Sequence, residues 1–217
     1  MKDERIEEYI INETNTVRFV LGKYLKSPLI VFGINPSIAS IEKNDNTISI
    51  VEHIAEIKQC DGYLMFNIYP LRATNIDDTF PTTYDQRICN DNLNYIRDRI
   101  YEGAEIVAAW GTHITDRDYF FEILDRINNI VKEKNARWIC LSKTKYGHPH
   151  HPTRLAYDKM TFEAFDMDEY IQSNKNSWWN HVLSFGLHRK RITAWHPPKN
   201  TLFANFLLIR TLKTNKY

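Results

Sequence analysis

Polar residues that could bind a ligand follow four apolar segments in the middle of this 217-residue chain. Asn35 follows the first segment, Asn67 and Arg72 follow the second, and His113 follows the third. The fourth segment runs into a histidine-rich loop, "KTKYGHPHHP" (143–152). An amide both donates and accepts hydrogen bonds, and an imidazole can transfer a proton. These residue types predict a polar binding cleft, provided that the four segments bring them together.

Alternation of apolar runs and helical spacing along the chain places these residues at the ends of strands. Apolar runs predict strands at residues 29–33, 62–70, 104–111 and 137–142. Helical spacing between the runs predicts helices around residues 50–57, 89–100 and 120–131. This alternation is typical of a parallel sheet with helices on both faces, in which ligands bind outside the carboxyl ends of the strands. We therefore expect a three-layer α/β/α fold with a central, mainly parallel, four-stranded sheet.

The charge distribution divides the chain near residue 170. Residues 1–170 contain 20 Lys and Arg against 27 Asp and Glu, whereas residues 171–217 contain 8 basic residues and no acidic one. We expect residues 1–165 to form the α/β domain and residues 166–217 to form a basic extension packed on it. Such a basic end suits a polyanion such as nucleic acid. The alternative is a basic tail that only folds against the acidic body.

Several other classes of protein are disfavoured by the sequence. No stretch approaches the roughly 20 apolar residues that span a bilayer, and the polar start "MKDERIEEYI" is unlike a signal peptide. Three widely spaced cysteines predict reduced thiols in a cytoplasmic protein, which we expect to be a monomer. Neither a phosphate-loop glycine pattern nor a GxSxG nucleophile motif occurs. The histidines of "HPHHP" could bind a metal, but no matching ligands lie beside them, so we expect no metal and no cofactor.

Five short motifs occur in order along the chain: "GINPSIA" (33–39), "DNTI" (45–48), "NIYPLRAT" (67–74), "AAWG" (108–111) and "GHPHHP" (147–152). This set and order resemble those of a bacterial family known as domain of unknown function 1643. The chain resembles this family over roughly residues 13–157. One position departs from the family pattern, since Ile38 stands where the family usually has threonine.

The same strand ends are similar to those of the uracil-DNA glycosylase superfamily. Asn35 within "GINP", Asn67, Trp110-Gly111 and His151-Pro152 match that superfamily in their order and in their position relative to the strands. The resemblance implies a uracil-DNA glycosylase-like fold. It also implies hydrolysis of the N-glycosidic bond of a uracil-like or modified pyrimidine base flipped out of DNA, in repair or in defence against phage with modified bases. His196, in a second His-Pro pair, is the rival of His151.

The resemblance also implies roles for individual residues. Asn35 would hold the attacking water and His151 would donate to the departing base, while Asn67 would read the base edge. Asp45 could supply a stronger base, although capping of a helix is an equal alternative for it. Further expected substrate contacts are Gly33, Ile34, Pro36, Ser37, Tyr69 and Arg72, and expected DNA contacts are Arg154, Arg189, Lys190, Arg191 and Lys199.

Two other functions remain open from the sequence. The first is a module that binds nucleic acid without catalysis, because the motif "GINPS" contains no carboxylate. The second is an enzyme acting on free nucleosides or nucleotides, for which the basic end would be unnecessary. The residue that would stack on the base is also open, with Phe66 and Tyr69 as candidates.

Overall fold

The protein is described by a computed structural model that covers residues 4–37, 39–40, 42–72, 81–156 and 160–175. The strands are β1 (Ile6–Ile11), β2 (Arg18–Tyr24), β3 (Leu29–Gly33), β4 (Tyr63–Asn67), β5 (Glu105–Ala108), β6 (Arg137–Cys140) and β7 (Glu163–Ala164). The helices are α1 (Asn46–Ile57), α2 (Gln86–Arg99), α3 (Tyr119–Glu133) and α4 (residues 167–175). Two short 3₁₀ helices span Gly111–Thr115 and Pro152–Arg154.

The described strands form one mixed sheet in the order β1-β2-β4-β3-β5-β6-β7. The pairings β4–β3, β3–β5 and β5–β6 are parallel, and the pairings β1–β2, β2–β4 and β6–β7 are antiparallel. The predicted α/β class is confirmed, but the sheet has seven strands rather than four and is mixed rather than mainly parallel. Strands β1 and β7 are partly or fully exposed, so no long apolar run marks them in the sequence.

Helices cover both faces of the sheet because successive residues of a strand point to opposite sides. In β3, Val31 packs in a core with residues of α1 such as Val51. Its neighbour Phe32 packs in the other core, with residues of α2 and α3 such as Ile96 and Ile127. The parallel centre of the sheet is therefore buried on both sides, and the carboxyl ends of its strands remain as the edge at which a ligand can enter.

Helix α4 belongs to the same compact unit as the sheet. Met167, Tyr170 and Ile171 are buried in the core that also holds α2 and α3. The expected domain boundary at residue 166 lies directly before α4, and α4 itself packs in this core. The remainder of the predicted basic extension, residues 176–217, lies outside the described residues. No helix within the described ranges is long and apolar enough to cross a membrane.

Candidate functional site

A cavity of about 960 Å³ lies at the carboxyl ends of the parallel strands. This volume is in the upper part of the range of about 300–1,000 Å³ that is typical of ligand sites. Its wall combines the loop after β3, the first turn of α1, the 3₁₀ helix after β5 and the loop after β6. The residues concerned are Gly33, Ile34, Asn35, Pro36, Ser37, Thr47, Ile48, Trp110, Gly111, Thr112, His113, Thr144, His150, His151, Thr153 and Arg154, together with Arg18, Met65 and Arg72.

The wall of this cavity is cationic. Three arginines line it, and no aspartate or glutamate is among its described residues. A concave surface lined by one sign of charge concentrates ligands of the opposite sign. The cavity is therefore suited to an anionic ligand.

Asn35 lies on the cavity wall because β3 ends at Gly33 and the loop that follows β3 is held by hydrogen bonds from the residues after β4. The amides of Ile68 and Tyr69 donate to the carbonyl oxygens of Gly33 and Ile34 at 3.0 and 2.9 Å. The side-chain amide of Asn35 lies 3.4 Å from the carbonyl oxygen of Pro36, to which it donates. These contacts set the course of the loop and leave Asn35 half-buried at the cavity.

Asn67 pairs with Gly33 across the sheet but is not itself part of the cavity wall. It lies two residues beyond Met65, a wall residue, so both side chains project from the same face of β4. A Cβ at position 33 would lie 2.9 Å from Asn67 Oδ1 and 2.8 Å from Met65 Cε, so any larger residue there would displace these side chains. Neither polar atom of the Asn67 side chain has a hydrogen-bond partner among the described residues, although the residue is only 1% exposed. An unpaired buried amide costs about 1–3 kcal/mol, which makes it a candidate for contact with a ligand or water.

His151 presents a neutral ring to the cavity. Its Nδ1 lies 2.8 Å from the Thr153 hydroxyl and accepts from the Thr153 backbone amide at 3.4 Å. With Nδ1 assigned as the acceptor from these partners, the neutral ring carries its proton on Nε2. Burial, together with the charges of Arg154 and His113, lowers the pKa of His151 to about 4. At neutral pH His151 is therefore a neutral hydrogen-bond donor.

Close packing between Gly111 and the histidine loop holds His151 at the end of β5. Gly111 has a φ of 69°, in the left-handed region that favours glycine. Its amide donates to the carbonyl oxygen of Pro149 at 3.0 Å. A Cβ at Gly111 would lie 3.3 Å from the Cβ of His151. The "WG" motif thus provides space for the "HP" motif, and this is the structural connection between the two.

Another histidine of the loop, His148, has a structural role. It is 6% exposed, and its Nδ1 lies 2.8 Å from the hydroxyl of Tyr170 in α4. The indole Nε1 of Trp110 donates to the same hydroxyl at 3.2 Å. The Tyr170 hydroxyl is then free to donate to His148 Nδ1, so all three buried groups are paired. The described residues contain no group of three or more His, Cys, Asp or Glu placed to hold a metal ion.

Three of the arginines and histidines that line the cavity were given no individual role from the sequence. His113 lies in the 3₁₀ helix after β5, with its Nδ1 2.8 Å from a carboxylate oxygen of Asp116. His150 lies beside His151 in the loop after β6. Arg18 begins β2 and is buried. The His-x-x-Asp spacing of His113 and Asp116 is a signal in the sequence that could have given His113 an individual role.

Besides Asn67, two expected site residues lie away from the cavity wall. The carboxylate of Asp45 accepts from the amide of Ile48 at 2.9 Å and caps α1. The ring of Tyr69 packs against Tyr119 and Phe120 in the core on the α2 and α3 face.

Phe66, the other candidate for stacking on a base, is buried in that same core, so neither aromatic candidate is placed to stack on a ligand. Arg154 lies on the cavity wall. The expected residues Arg189, Lys190, Arg191 and Lys199, and the rival His196, lie outside the described residues.

Comparison with known proteins identifies a family but no function. The family described as protein of unknown function (DUF1643) matches residues 18–153. No curated protein and no solved structure matches the chain, so the resemblance to uracil-DNA glycosylases gains no support from these comparisons. The matched segment runs from Arg18 in β2 to Thr153 beside His151, and it therefore contains the whole cavity wall except Arg154. The chain belongs to the family described as protein of unknown function (DUF1643).

Proposed function

We propose that the protein hydrolyses the N-glycosidic bond of a uracil-like or modified pyrimidine nucleotide that has been flipped out of DNA. The observation that carries this proposal is that Asn35 and His151, from two different strand ends, line one cavity large enough for a nucleotide. Cleavage of this bond develops positive charge on the sugar and negative charge on the departing base. The two residues supply groups suited to these two charges.

His151 would act on the departing base. A ring with a pKa of about 4 is neutral at physiological pH, so it stabilises the developing base anion as an N–H donor rather than as an imidazolium ion. The contacts at Nδ1 fix the donor at Nε2, which is the nitrogen left for the ligand. Hydrogen bonding to charge that develops during the reaction is a large source of rate enhancement.

Asn35 would hold the water that attacks the sugar, but an amide does not accept a proton from it. Asp45 caps α1 instead of lining the cavity, so we assign the role of proton acceptor to His113. The carboxylate of Asp116 beside Nδ1 orients the His113 ring and directs Nε2 as the accepting nitrogen. His113 is close enough to His151 to influence its pKa, so both rings act within one site.

The proposed role of Asn67 in reading the base requires a movement on binding. The amide is buried behind Gly33, on the face of the sheet that carries the cavity. A shift of the loop that begins at Gly33 would uncover a donor and an acceptor that have no other partner among the described residues. The binding of a base would then compensate for an amide that is unpaired in the free protein.

A second candidate function is hydrolysis of free nucleotides. Two arginines, Arg18 and Arg72, lie in the concave wall of the cavity rather than on a flat surface, which suits the phosphate of a small substrate as well as that of DNA. The test therefore has to vary both the kind of substrate, DNA or free nucleotide, and the base that it carries.

The experiment is a screen of the purified chain against single-stranded and duplex DNA containing uracil, mismatched thymine or hypermodified pyrimidines. Alkali-labile abasic sites report release of the base, and free deoxynucleotides form a separate arm. Asn35→Ala and His151→Ala should abolish release, whereas Asn90→Ala and His53→Ala, outside the cavity, should not. Binding of DNA without release on every substrate would instead identify a non-catalytic module, and release from nucleotides alone would identify the second candidate.

A further inference from the structure

Two arginine side chains meet under the loop that follows β3. Arg18 Nη1 donates to the carbonyl oxygen of Ala39 at 2.9 Å, and Arg72 Nη2 donates to the same oxygen at 2.8 Å. Both arginines line the cavity. One neutral acceptor is therefore shared by two positively charged groups.

No carboxylate within the described ranges forms an ion pair with either arginine. The remaining hydrogen bonds of Arg72 go to the carbonyl oxygen of Ser37 at 3.3 and 3.2 Å, to the hydroxyl of Tyr9 at 2.9 Å and to the amide oxygen of Asn15. All of these acceptors are uncharged. The hydrogen-bond partners of the pair are thus all uncharged in the described part of the chain, and Asp45, the carboxylate whose charge acts on Arg18, caps α1 without pairing with it.

Arg18 has fewer hydrogen-bond partners than Arg72. Its side chain is among the largest that are fully buried, with 1% of the residue exposed. Its Nε has no hydrogen-bond partner among the described residues. Burial and the neighbouring charge of Arg72 lower the pKa of Arg18 to about 10, so the guanidinium remains protonated at neutral pH.

Holding the loop in place does not explain this arrangement. A single neutral donor could bond the Ala39 carbonyl oxygen, and a buried charge without a counterion is unfavourable. An anion between the two guanidinium groups would neutralise both and could accept from the free Nε of Arg18. Guanidinium groups bind phosphate through paired N–H donors, which suits them to this role.

We propose that Arg18 and Arg72 form a phosphate-binding subsite in the wall of the cavity, which holds a phosphate group of a nucleotide or of a nucleic acid. The subsite lies in the same cavity as Asn35 and His151. It does not depend on the proposed function, since a phosphate can bind there whether or not a glycosidic bond is cleaved.

The first test uses the wild-type chain and needs no substitution. The ¹H–¹⁵N signal of the Arg18 Nε group, assigned by its absence in Arg18→Lys or by through-bond experiments, is followed by NMR. The chain is titrated with inorganic phosphate, deoxyuridine monophosphate, deoxyuridine and a short single-stranded oligonucleotide. We expect the three phosphate-bearing probes to shift this signal and deoxyuridine to leave it unchanged. If none of the phosphates shifts the signal, the proposal is wrong and the arginines only brace the loop.

The source of the phosphate is decided by affinity in the same titrations. Tighter binding of the monophosphate than of the oligonucleotide identifies a phosphate monoester of a free nucleotide. The reverse order identifies a backbone diester. Both outcomes support the subsite, and base release is not measured, so failure of the glycosylase proposal and failure of the subsite are separate results.

Substitutions supply the second test. We expect Arg72→Gln and Arg18→Lys to weaken binding of inorganic phosphate at least about tenfold, because each removes a bidentate donor. Arg97→Gln is the matched control, since Arg97 is an exposed arginine paired with Glu133. Folded Arg72→Gln or Arg18→Lys protein that binds phosphate as tightly as wild type would overturn the proposal. If Arg18→Lys does not fold, Arg72→Gln and the wild-type titration still test whether the phosphate subsite exists.

Discussion

Gly111 and His151 are in contact across two motifs that lie 40 residues apart, and a Cβ on Gly111 would approach the His151 Cβ to 3.3 Å. This contact places the end of β5 directly beneath the histidine loop. The distance is tighter than an ordinary van der Waals contact, so the histidine has to move if any side chain is added. His151 is therefore positioned by the lack of a side chain at its neighbour as well as by its own hydrogen bonds.

The first prediction concerns the substitution Gly111→Ala. We expect it to lower stability by about 1–3 kcal/mol, because alanine is strained at positive φ, and to displace the His151 ring. Gly103→Ala is the matched control, because Gly103 has a φ of 71° but a Cβ added there would meet no atom within 4 Å. Both variants should lose stability in denaturant unfolding, but only Gly111→Ala should shift the NMR signals of the His151 ring. Equal shifts in both variants would contradict the importance of the contact.

The second prediction concerns the dependence of stability on pH. The pKa of His151 is about 4 in the folded protein and near 6.5 in the unfolded chain. Below pH 6.5 the unfolded chain binds a proton that the folded protein does not, so stability is complete above this pH and decreases as the pH falls towards 4. The loss attributable to His151 is up to about 3 kcal/mol.

His151→Asn tests this prediction, because its amide oxygen can still accept from Thr153 and it does not titrate. The free energy of unfolding of this variant should decrease less between pH 6.5 and pH 4 than that of the wild type. His148, whose pKa burial also lowers, contributes in the same direction in both proteins and cancels in the comparison. Identical pH profiles would mean that His151 titrates normally in the folded protein.

The central strands could be predicted from the sequence because each is buried on both faces. The apolar run Leu29–Gly33 agrees with β3 at both ends. The run 104–111 extends past the end of β5, because Ala109 and Trp110 stay buried after the strand has ended. An apolar run therefore indicates burial rather than strand conformation. The motifs at the strand ends were located correctly for the same reason.

Arg18 could not be identified from the sequence. It stands next to the apolar run "FVLG", where a charged residue usually marks an exposed position. Its burial depends on the carbonyl oxygen of Ala39, which lies 21 residues further along the chain. A tertiary contact of this kind leaves no local pattern. The placement of Tyr69 could not be predicted for a related reason: it lies beyond the end of β4, so strand alternation does not fix its direction, and its ring packs in the core on the α2 and α3 face.

The third prediction concerns the contribution of Asn67 to the stability of the protein, separately from its proposed role in reading the base. Asn67→Leu replaces an unpaired buried amide by an apolar side chain of similar size, so we expect stability to stay within about 1 kcal/mol of wild type or to rise. Asn92→Leu is the control, because Asn92 Nδ2 donates to the backbone oxygen of Asn67 at 2.9 Å. The control should lose about 1–2 kcal/mol. A large loss of stability in Asn67→Leu would indicate that its amide has partners in the free protein.

The fourth prediction concerns the connection of α4 to the histidine loop. Tyr170→Phe removes the hydroxyl that pairs with both Trp110 Nε1 and His148 Nδ1. Two buried polar groups are then left unpaired, and we expect a loss of about 2–4 kcal/mol in the free energy of unfolding. Tyr146→Phe is the control, since Tyr146 is 68% exposed and should change stability little. Equal midpoints in denaturant for Tyr170→Phe and wild type would contradict the buried network.

The last prediction tests the assignment of His113 as the proton acceptor in the proposed reaction. Asp116→Asn keeps the shape of the side chain but removes the charge that orients the His113 ring, so it should lower the single-turnover rate of base release by about 10²-fold. Affinity for the substrate should change little, because neither Asp116 nor His113 is assigned a role in binding. His53 and Glu56 on α1 form a similar pair at i and i+3 outside the cavity, with a separation of 3.6 Å. Glu56→Gln is therefore the matched control and should leave the rate unchanged. A rate for Asp116→Asn equal to that of wild type, on a substrate that the wild type cleaves, would exclude His113 as the base, since Asn35 can only position the water.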